Sequence, residues 1–290
     1  MLFFWKFFMM LMVDMGNSAL KWANLEQGRL SPQQRIPHQA NNLEKLLTQA
    51  WRTLDMPSQG VWVSNVAGPQ KAETLSHWVK TLWGLKPTFV KTSRYECGVK
   101  NGYENPEQLG VDRWLALIGA HLMEKGMLCI VDCGTAITLD VLSANGHHQG
   151  GLIMPGVTTM QIALKSDTYA LAHSHPEKFF YDDTLRGLPN FESLAQKFSG
   201  QPAINKTFHQ HHDNSFLAHN THTGMTLGTL YAVIGLLEYV IKTLEKQGNQ
   251  IILILTGGSV PVLESFLPRP YRHIPDLVLQ GLKAVVDQSL

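Results

Sequence analysis

Charge is scarce in this sequence, and so is any imbalance of it. Lys and Arg number 24 against 23 Asp and Glu, and 16% of the 290 residues are charged. A net charge of +1 gives no electrostatic footing for nucleic acid as the main partner, because backbone-phosphate binding is built on clustered Lys and Arg. Cysteine is nearly absent too. Three residues, an odd number, fit a reducing compartment better than a disulfide scaffold. Cys129 and Cys133 lack metal-site partners at useful spacing and read as core residues. The apolar N-terminal run is short: Met1–Val13 is broken by Lys6 and ended by Asp14, against the roughly 20 residues a spanning helix needs. No small-residue cleavage site follows it. The expectation is a cytoplasmic protein with no membrane partner. The residues before Met9 are read as an upstream start or an added segment, without assigned function.

What is present is a large apolar fraction, 44%, in a chain long enough for one large or two medium domains. The most informative stretch is Leu128-Cys-Ile-Val-Asp-Cys-Gly-Thr-Ala-Ile-Thr-Leu-Asp-Val141. It reads as two buried antiparallel strands around a Gly turn, with a carboxylate at each end, Asp132 and Asp140. A buried carboxylate has to be paired, hydrogen-bonded or bound to a cation. Gly134 permits close backbone approach and Thr135 supplies a hydroxyl, which suits a phosphate and its counter-cation. A core hairpin whose polar residues only satisfy the turn fits this stretch equally well. A second copy shifts the balance. Near the start, Val13-Asp14-Met15-Gly16 repeats Val131-Asp132-Cys133-Gly134 in kind and spacing and runs on to Lys21 and Trp22. Such a repeat points to two related halves, each presenting an Asp-x-Gly hairpin to a shared cleft. The pair resembles the phosphate-handling arrangement of the actin-like ATPase and sugar-kinase superfamily.

The rest of the chain reads in the same sense. Met9–Met15 and Ser18–Asn24 form the first hairpin, and Glu26–Arg29 turns into a third strand. Asn42–Leu54 has helical spacing through Leu43, Leu46, Leu47, Ala50 and Leu54; Gly60–Val66 reads as a strand. Pro69–Trp83 reads as a helix with Pro in its first turn, and Thr88–Val90 as a short strand. A helix beginning near Gln108–Asp112, with apolar residues at Leu115, Ile118 and Leu122, puts Asp112 and Arg113 in its first turn. A carboxylate there serves the helix dipole in the ordinary case. Thr221–Gln247 is a long helix with a stripe through Leu227, Leu230, Ile234, Leu237 and Ile241. Ile251–Leu255 is a buried strand delivering Thr256-Gly-Gly258, and Ser259–Phe266 and Val278–Ser289 are amphipathic helices assigned to the second half. Seven His residues between Ala172 and His222 read as a solvated loop in preference to a metal site.

Six blocks in order resemble the type III pantothenate kinases, the family that also includes the Bvg accessory factors. They are Asp14-x-Gly-Asn-Ser-x-x-Lys21, Tyr103-x-x-Pro-x-x-Leu-Gly-x-Asp-Arg113, Asp132-x-Gly-Thr-Ala-x-Thr-x-Asp140, Gly150-Gly-x-Ile-x-Pro-Gly156, Asn220-Thr-x-x-x-Met-x-x-Gly228 and Thr256-Gly-Gly258. The helix after Gly156 is less regular than the family's, and Gly224 replaces a usual Ala. The resemblance implies an α/β fold of two related actin-like ATPase (ribonuclease H-like) domains, with mixed β-sheets flanked by helices. Their expected extents are 1–125 and 126–290. It implies ATP-dependent phosphorylation of pantothenate, the opening step of coenzyme A synthesis. The first hairpin (Asp14, Met15, Gly16, Asn17, Ser18, Ala19, Leu20 and Lys21) together with Thr135 would hold ATP, with Asp14 reaching Mg²⁺. Asp132 would bind a monovalent cation, K⁺ or NH₄⁺. Asp112 would be the general base, and Tyr103, Gly110, Val111, Asp112, Arg113 and Thr221 would hold pantothenate, the Arg113 fork suiting an acidic substrate group. A homodimer is expected by the same resemblance. Another kinase of this fold, or a non-catalytic regulatory factor, are the alternatives; the Tyr103–Arg113 block argues against the first, and the presence of Asp14, Asp112 and Asp132 against the second.

Overall fold

The computed structural model describes residues 9–38, 43–166, 217–267 and 270–289. The His-rich segment falls almost wholly outside them. The chain opens with β1 (Met9–Met15), β2 (Ala19–Glu26), β3 (Arg29–Leu30) and β4 (Gln34–Pro37), followed by α1 (Leu43–Trp51), β5 (Val61–Asn65), α2 (Pro69–Trp83) and β6 (Thr88–Phe89). These strands form one mixed sheet in the order β3-β2-β1-β5-β6, with β4 also on β2. β2 runs antiparallel to β1 and β5 runs parallel to it. The parallel β1–β5 pair requires a crossover, which β2 to α1 supply. Gln27 and Gly28 join β2 to β3 with φ of 48° and 74°, the double left-handed geometry of a two-residue hairpin loop.

Every residue of β1 is buried, so both faces of its sheet are covered. Leu11, Val13 and Met15 pack with Leu43, Leu47 and Trp51 of α1 and Leu75, Trp78 and Val79 of α2. Trp51 carries this core: its ring lies 5.9, 5.5 and 5.8 Å from those of Trp22, Trp78 and Trp83. The stripe expected on α1 therefore turns further than Leu46 and Ala50, which are only partly buried. Strand alternation sends Met10, Met12 and Asp14 to the opposite face. α2 keeps the bounds read from its sequence, with Pro in its first turn and Gly84 in the left-handed conformation closing it.

Next come a small hairpin of β7 (Tyr95–Glu96) and β8 (Val99–Lys100), a single 3-10 turn at Pro106–Gln108, and α3 (Val111–Met123). A second sheet, ordered β11-β10-β9-β12-β13, contains β9 (Met127–Cys133), β10 (Ala136–Leu142), β11 (His148–Pro155), β12 (Ile251–Thr256) and β13 (Tyr271–His273). Its helices are α4 (Val157–Ser166), α5 (Thr221–Lys246) and the short α6 (Val260–Leu263), which runs into a 3-10 turn at Glu264–Phe266; α7 (Leu277–Ser289) ends the chain. The expected stripe on α5 is buried throughout. By length and composition α5 could cross a bilayer, but Leu230, Val233, Ile234 and Leu237 are packed inside the protein.

Two compact units result, and each is discontinuous in sequence. One comprises residues up to Ile130 with Asp140–Gly151 and Asp276 onward; the other comprises Val131–Leu139 and the described parts of Leu152–Pro275. The terminal helix corrects its sequence assignment: α7 packs on α3 and reaches β1 and β5 in the first unit, not the second half that sequence order implies. The reason is visible at the helix crossing. A Cβ on Gly281 would lie 1.8 Å from the Leu115 carbonyl oxygen, and one on Gly119 would lie 2.7 Å from that of Leu277. Two glycines let the backbones touch, and α3 is buried from Val111 to Ala120 apart from Asp112. Leu122, expected on the apolar face, lies beyond this contact and is 54% exposed.

Candidate active site

In the first unit the polar residues gather at the ends of β1 and β2 and at the start of α3. Asp14 lies opposite Lys21 across β1–β2 and opposite Ser64 across β1–β5. Lys21 Nζ is 3.4 Å from Asp14 Oδ2, while Asp14 Oδ1 is buried without a hydrogen-bond partner. Burial pushes the Asp14 carboxyl above the ordinary aspartate range, and Lys21 and the Ser64 hydroxyl offset only part of that shift. That oxygen is open to a cation or a donor from outside the protein, or to the buried Ser64 hydroxyl that faces Asp14 across β1–β5 and makes no other hydrogen bond.

Asp112 follows Gly110, the N-cap of α3, and lies in the first turn as its sequence indicates. Its Oδ1 accepts from the Arg113 backbone N–H at 2.8 Å. Burial raises its carboxyl, the bond from Arg113 opposes this, and the charge of Asp14 raises it further. A carboxyl raised by burial and by a neighbouring carboxylate is of the kind found at reaction centres. Val111 beside it is buried.

Arg113 has other commitments than its sequence suggested. Its Nε and one terminal nitrogen donate to Asp140 Oδ2 and Oδ1 at 2.8 and 2.7 Å. The other terminal nitrogen lies 3.0 Å from the Tyr103 hydroxyl. His148, fully buried, shares Asp140 Oδ1 through Nε2 at 2.8 Å and stacks on Tyr103 at 5.6 Å and 19°. Burial works against the charge on Arg113, and Asp140 more than restores it. The donor fork is thus spent on Asp140, and the pair is electrically neutral, which weakens its pull on an acidic substrate group. Asp140 was legible as a buried strand carboxylate in need of a partner; His148 carried no local signal. Asn101 and Arg94 fix the loop around Tyr103: Asn101 Oδ1 accepts from the Tyr103 N–H, and Arg94 donates to the Tyr103 and Glu104 carbonyls at 2.8 and 2.7 Å.

The second unit contains Asp132, Thr135 and Thr221. Asp132 ends β9, and Gly257 closes over its tip with φ of 96°; a Cβ there would come within 2.4 Å of Asp132 Oδ1. Thr135 is exposed in the β9–β10 turn, and its carbonyl accepts from the Gly156 N–H and the Thr159 hydroxyl at 2.9 and 2.7 Å. Thr221 opens α5 exposed. The cap of that helix is Asn220, whose Oδ1 accepts from the Thr223 N–H at 2.9 Å. Cys129 and Cys133 are buried, with thiols pushed up to about 12, chiefly by burial. They are inert core residues, as expected. No group of three or more His, Cys, Asp or Glu side chains suited to a metal occurs among the described residues.

Two mixed sheets flanked by helices, each carrying an Asp-x-Gly hairpin, define a member of the sugar-kinase and actin-like ATPase fold class. A solved structure of a candidate 2-dehydro-3-deoxygalactonokinase from Sinorhizobium meliloti has the same fold, with a TM-score of 0.51, 14% identity, and 97% of this chain and 99% of that one covered. The profile of the type III pantothenate kinase family matches residues 10–190. A type III pantothenate kinase of Nitrosococcus oceani is 34% identical, over 97% of this chain and 95% of that protein. One of Burkholderia mallei is 34% identical, over 97% and 100%. The chain belongs to the type III pantothenate kinase family.

Proposed function

We propose that the protein transfers the γ-phosphoryl group of ATP to the 4′-hydroxyl of pantothenate, giving ADP and 4′-phosphopantothenate, the first step of coenzyme A biosynthesis. The observation that carries the site assignment is the placement in one unit of Asp14, 3.4 Å from Lys21 on the first hairpin, and Asp112, in the first turn of α3. Phosphoryl transfer needs a phosphate cradle, positive charge and a base for the alcohol proton. In this reading residues 14–21 and Thr135 hold the phosphates, and Lys21 supplies charge. The unsatisfied Asp14 oxygen fits Mg²⁺, which typically takes one or two protein carboxylates alongside phosphate oxygens and water; when bound, that ion offsets phosphate charge. Asp112 accepts the hydroxyl proton as the alcohol oxygen bonds to phosphorus and the bond to ADP breaks. Tyr103, Gly110, Val111 and Thr221 contact pantothenate. Arg113 joins them through the donors that Asp140 and Tyr103 leave over, so its role is orientation more than charge attraction.

Asp132 is the ligand for K⁺ or NH₄⁺ in this reading, supported by a strand-end carboxylate crowded by backbone at Gly257. The protein works in the cytoplasm as a homodimer. ADP release with pantothenate, ATP and Mg²⁺, with and without K⁺, tests the assignment; no release above a pantothenate-free control overturns it. Asp132→Ala is expected to remain folded and lose the stimulation by K⁺. If that variant responds to K⁺ as the parent does, the cation ligand lies elsewhere.

A further inference from the structure

The turn of the first hairpin has its carbonyl oxygens occupied one after another. Gly16 O accepts from His38 Nε2 at 2.8 Å, and Asn17 O accepts from Lys71 Nζ at 3.3 Å. Ser18 O accepts from the His38 backbone N–H at 3.0 Å, and Ala19 O accepts from the Gly16 N–H at 3.1 Å. Lys71 Nζ also lies 3.1 Å from His38 Nδ1. An ammonium only donates, so Nδ1 is the acceptor and Nε2 carries the proton given to Gly16. His38 is 4% exposed and follows β4, while Lys71 sits in the first turn of α2. Burial, together with Lys71, holds the imidazole below the ordinary histidine range despite the Gly16 carbonyl, which keeps Nδ1 an acceptor at neutral pH.

The second hairpin reaches the same state by other means. There Cys133 O accepts from the Ser259 N–H at 2.9 Å and Ala136 O from the Gly134 N–H at 3.1 Å. Thr135 O is taken by Gly156 and Thr159, as described above. A turn becomes an anion cradle when its N–H dipoles face the ligand and its carbonyls are directed elsewhere. A carbonyl rotated toward a polyphosphate would repel it.

We propose that Lys71 and His38 are positioning residues that fix the Gly16–Ala19 turn with its carbonyls held away from a nucleotide polyphosphate. The proposal rests on the reading that this hairpin binds ATP. Neither residue belongs to the hairpin, and neither need touch the nucleotide; Lys71 adds a positive charge behind the turn.

The test measures the Kd of MgADP by calorimetry, and the KM values for ATP and pantothenate, in the full-length protein. Lys71→Met and His38→Phe are each expected to weaken MgADP and raise the KM for ATP about tenfold, the scale of one lost charge-assisted hydrogen bond. The KM for pantothenate and the kcat at saturating ATP should stay within about twofold. His38→Gln, whose amide can donate to Gly16 and accept from Lys71, should recover most of the affinity. Nucleotide binding unchanged in both variants, with only the melting temperature lowered, overturns the proposal. So does an effect of Lys71→Met that His38→Phe does not share, since that would mean direct ionic contact. Lys21→Ala separates the two levels. If it abolishes MgADP binding while the Lys71 and His38 variants bind normally, the clamp alone is wrong. If the parent binds no MgADP, or if Lys21→Ala costs nothing, the hairpin reading fails and takes the clamp with it.

Discussion

Asp14 and Asp112 sit where a carboxylate is expensive to ionise, and the consequences differ for rate and for stability. If Asp112 is the base, Asp112→Asn should lower kcat by roughly 10²–10⁴-fold and leave ATP affinity nearly intact. Asn caps a helix about as well as Asp, so a variant with the parent's kcat and only an altered melting temperature would remove Asp112 from catalysis. The base acts ionised, so the rate should fall as pH drops through its pKa. Because burial and Asp14 raise that pKa, the acid limb of kcat/KM should lie above the ordinary aspartate value near 4. For folding the sign is opposite. A raised carboxyl pKa means the folded state prefers the proton, so its stabilising contribution is complete below the unfolded pKa and is lost as pH rises through the folded one. As pH rises above the unfolded aspartate value, the nucleotide-free protein therefore loses stability through Asp14. Asp14→Asn should therefore raise its melting temperature by roughly a few degrees while abolishing activity, and the gain should shrink as pH is lowered toward 4. Thermal scans at several pH values check this; a lower melting temperature for Asp14→Asn at pH 7.5 would contradict it.

Among the elements, α7 is the one whose placement most depends on a single residue. It lies against α3 through Gly281 and Gly119, with no room for a Cβ at either. Gly281→Ala would drive a methyl into the Leu115 carbonyl, a backbone atom that cannot rotate aside. The expected loss is ~1–3 kcal/mol, as for other overpacked cores. It should appear as a lower urea midpoint at unchanged slope. α3 carries Asp112 and Arg113 at its N-terminus, so kcat should fall together with stability; Gly281→Ala at parental stability would mean that the helices separate without cost. The two hairpins make the complementary point. Each is a Gly turn between buried strands, yet one fixes its carbonyls with His38, just past β4, and Lys71 of α2, the other with the N-terminus of α4 and Ser259.

For the molecule as a whole, exposed apolar side chains occur in both units; in the second they include Leu152 and Ile153 of β11, 44% and 65% exposed, Ile162 of α4 at 58% and Tyr239 of α5 at 71%. The homodimer proposed above would cover part of this apolar surface with a second copy of the chain. Light scattering at micromolar concentration should give twice the chain mass. The double substitution Ile153→Asp and Ile162→Asp should shift it to the single-chain mass. A fully active parent monomer would count against the dimer.

Local sequence determined a great deal here. The Asp-x-Gly hairpins, the start of α2 at Pro69 and the buried stripe of α5 are written in residue spacing and turn chemistry, which act over a few positions. Asp14 and Lys21 stand out locally at the end of a strand, whereas Asp112 reads by position only as a helix-start carboxylate and takes its proposed role from the family resemblance. Other features were decided only in three dimensions. Arg113 pairs with Asp140 27 positions away, and Lys71 reaches Asn17 across 54. His148 and His38 acquire their partners the same way, and α7 joins the first unit after a long excursion of the chain. An Arg in a helix, a Lys in a first turn or an amphipathic terminal helix has many acceptable partners by composition. Which one it takes depends on the backbone positions that the folded sheets bring within about 3 Å of a donor, and no local pattern encodes that distance.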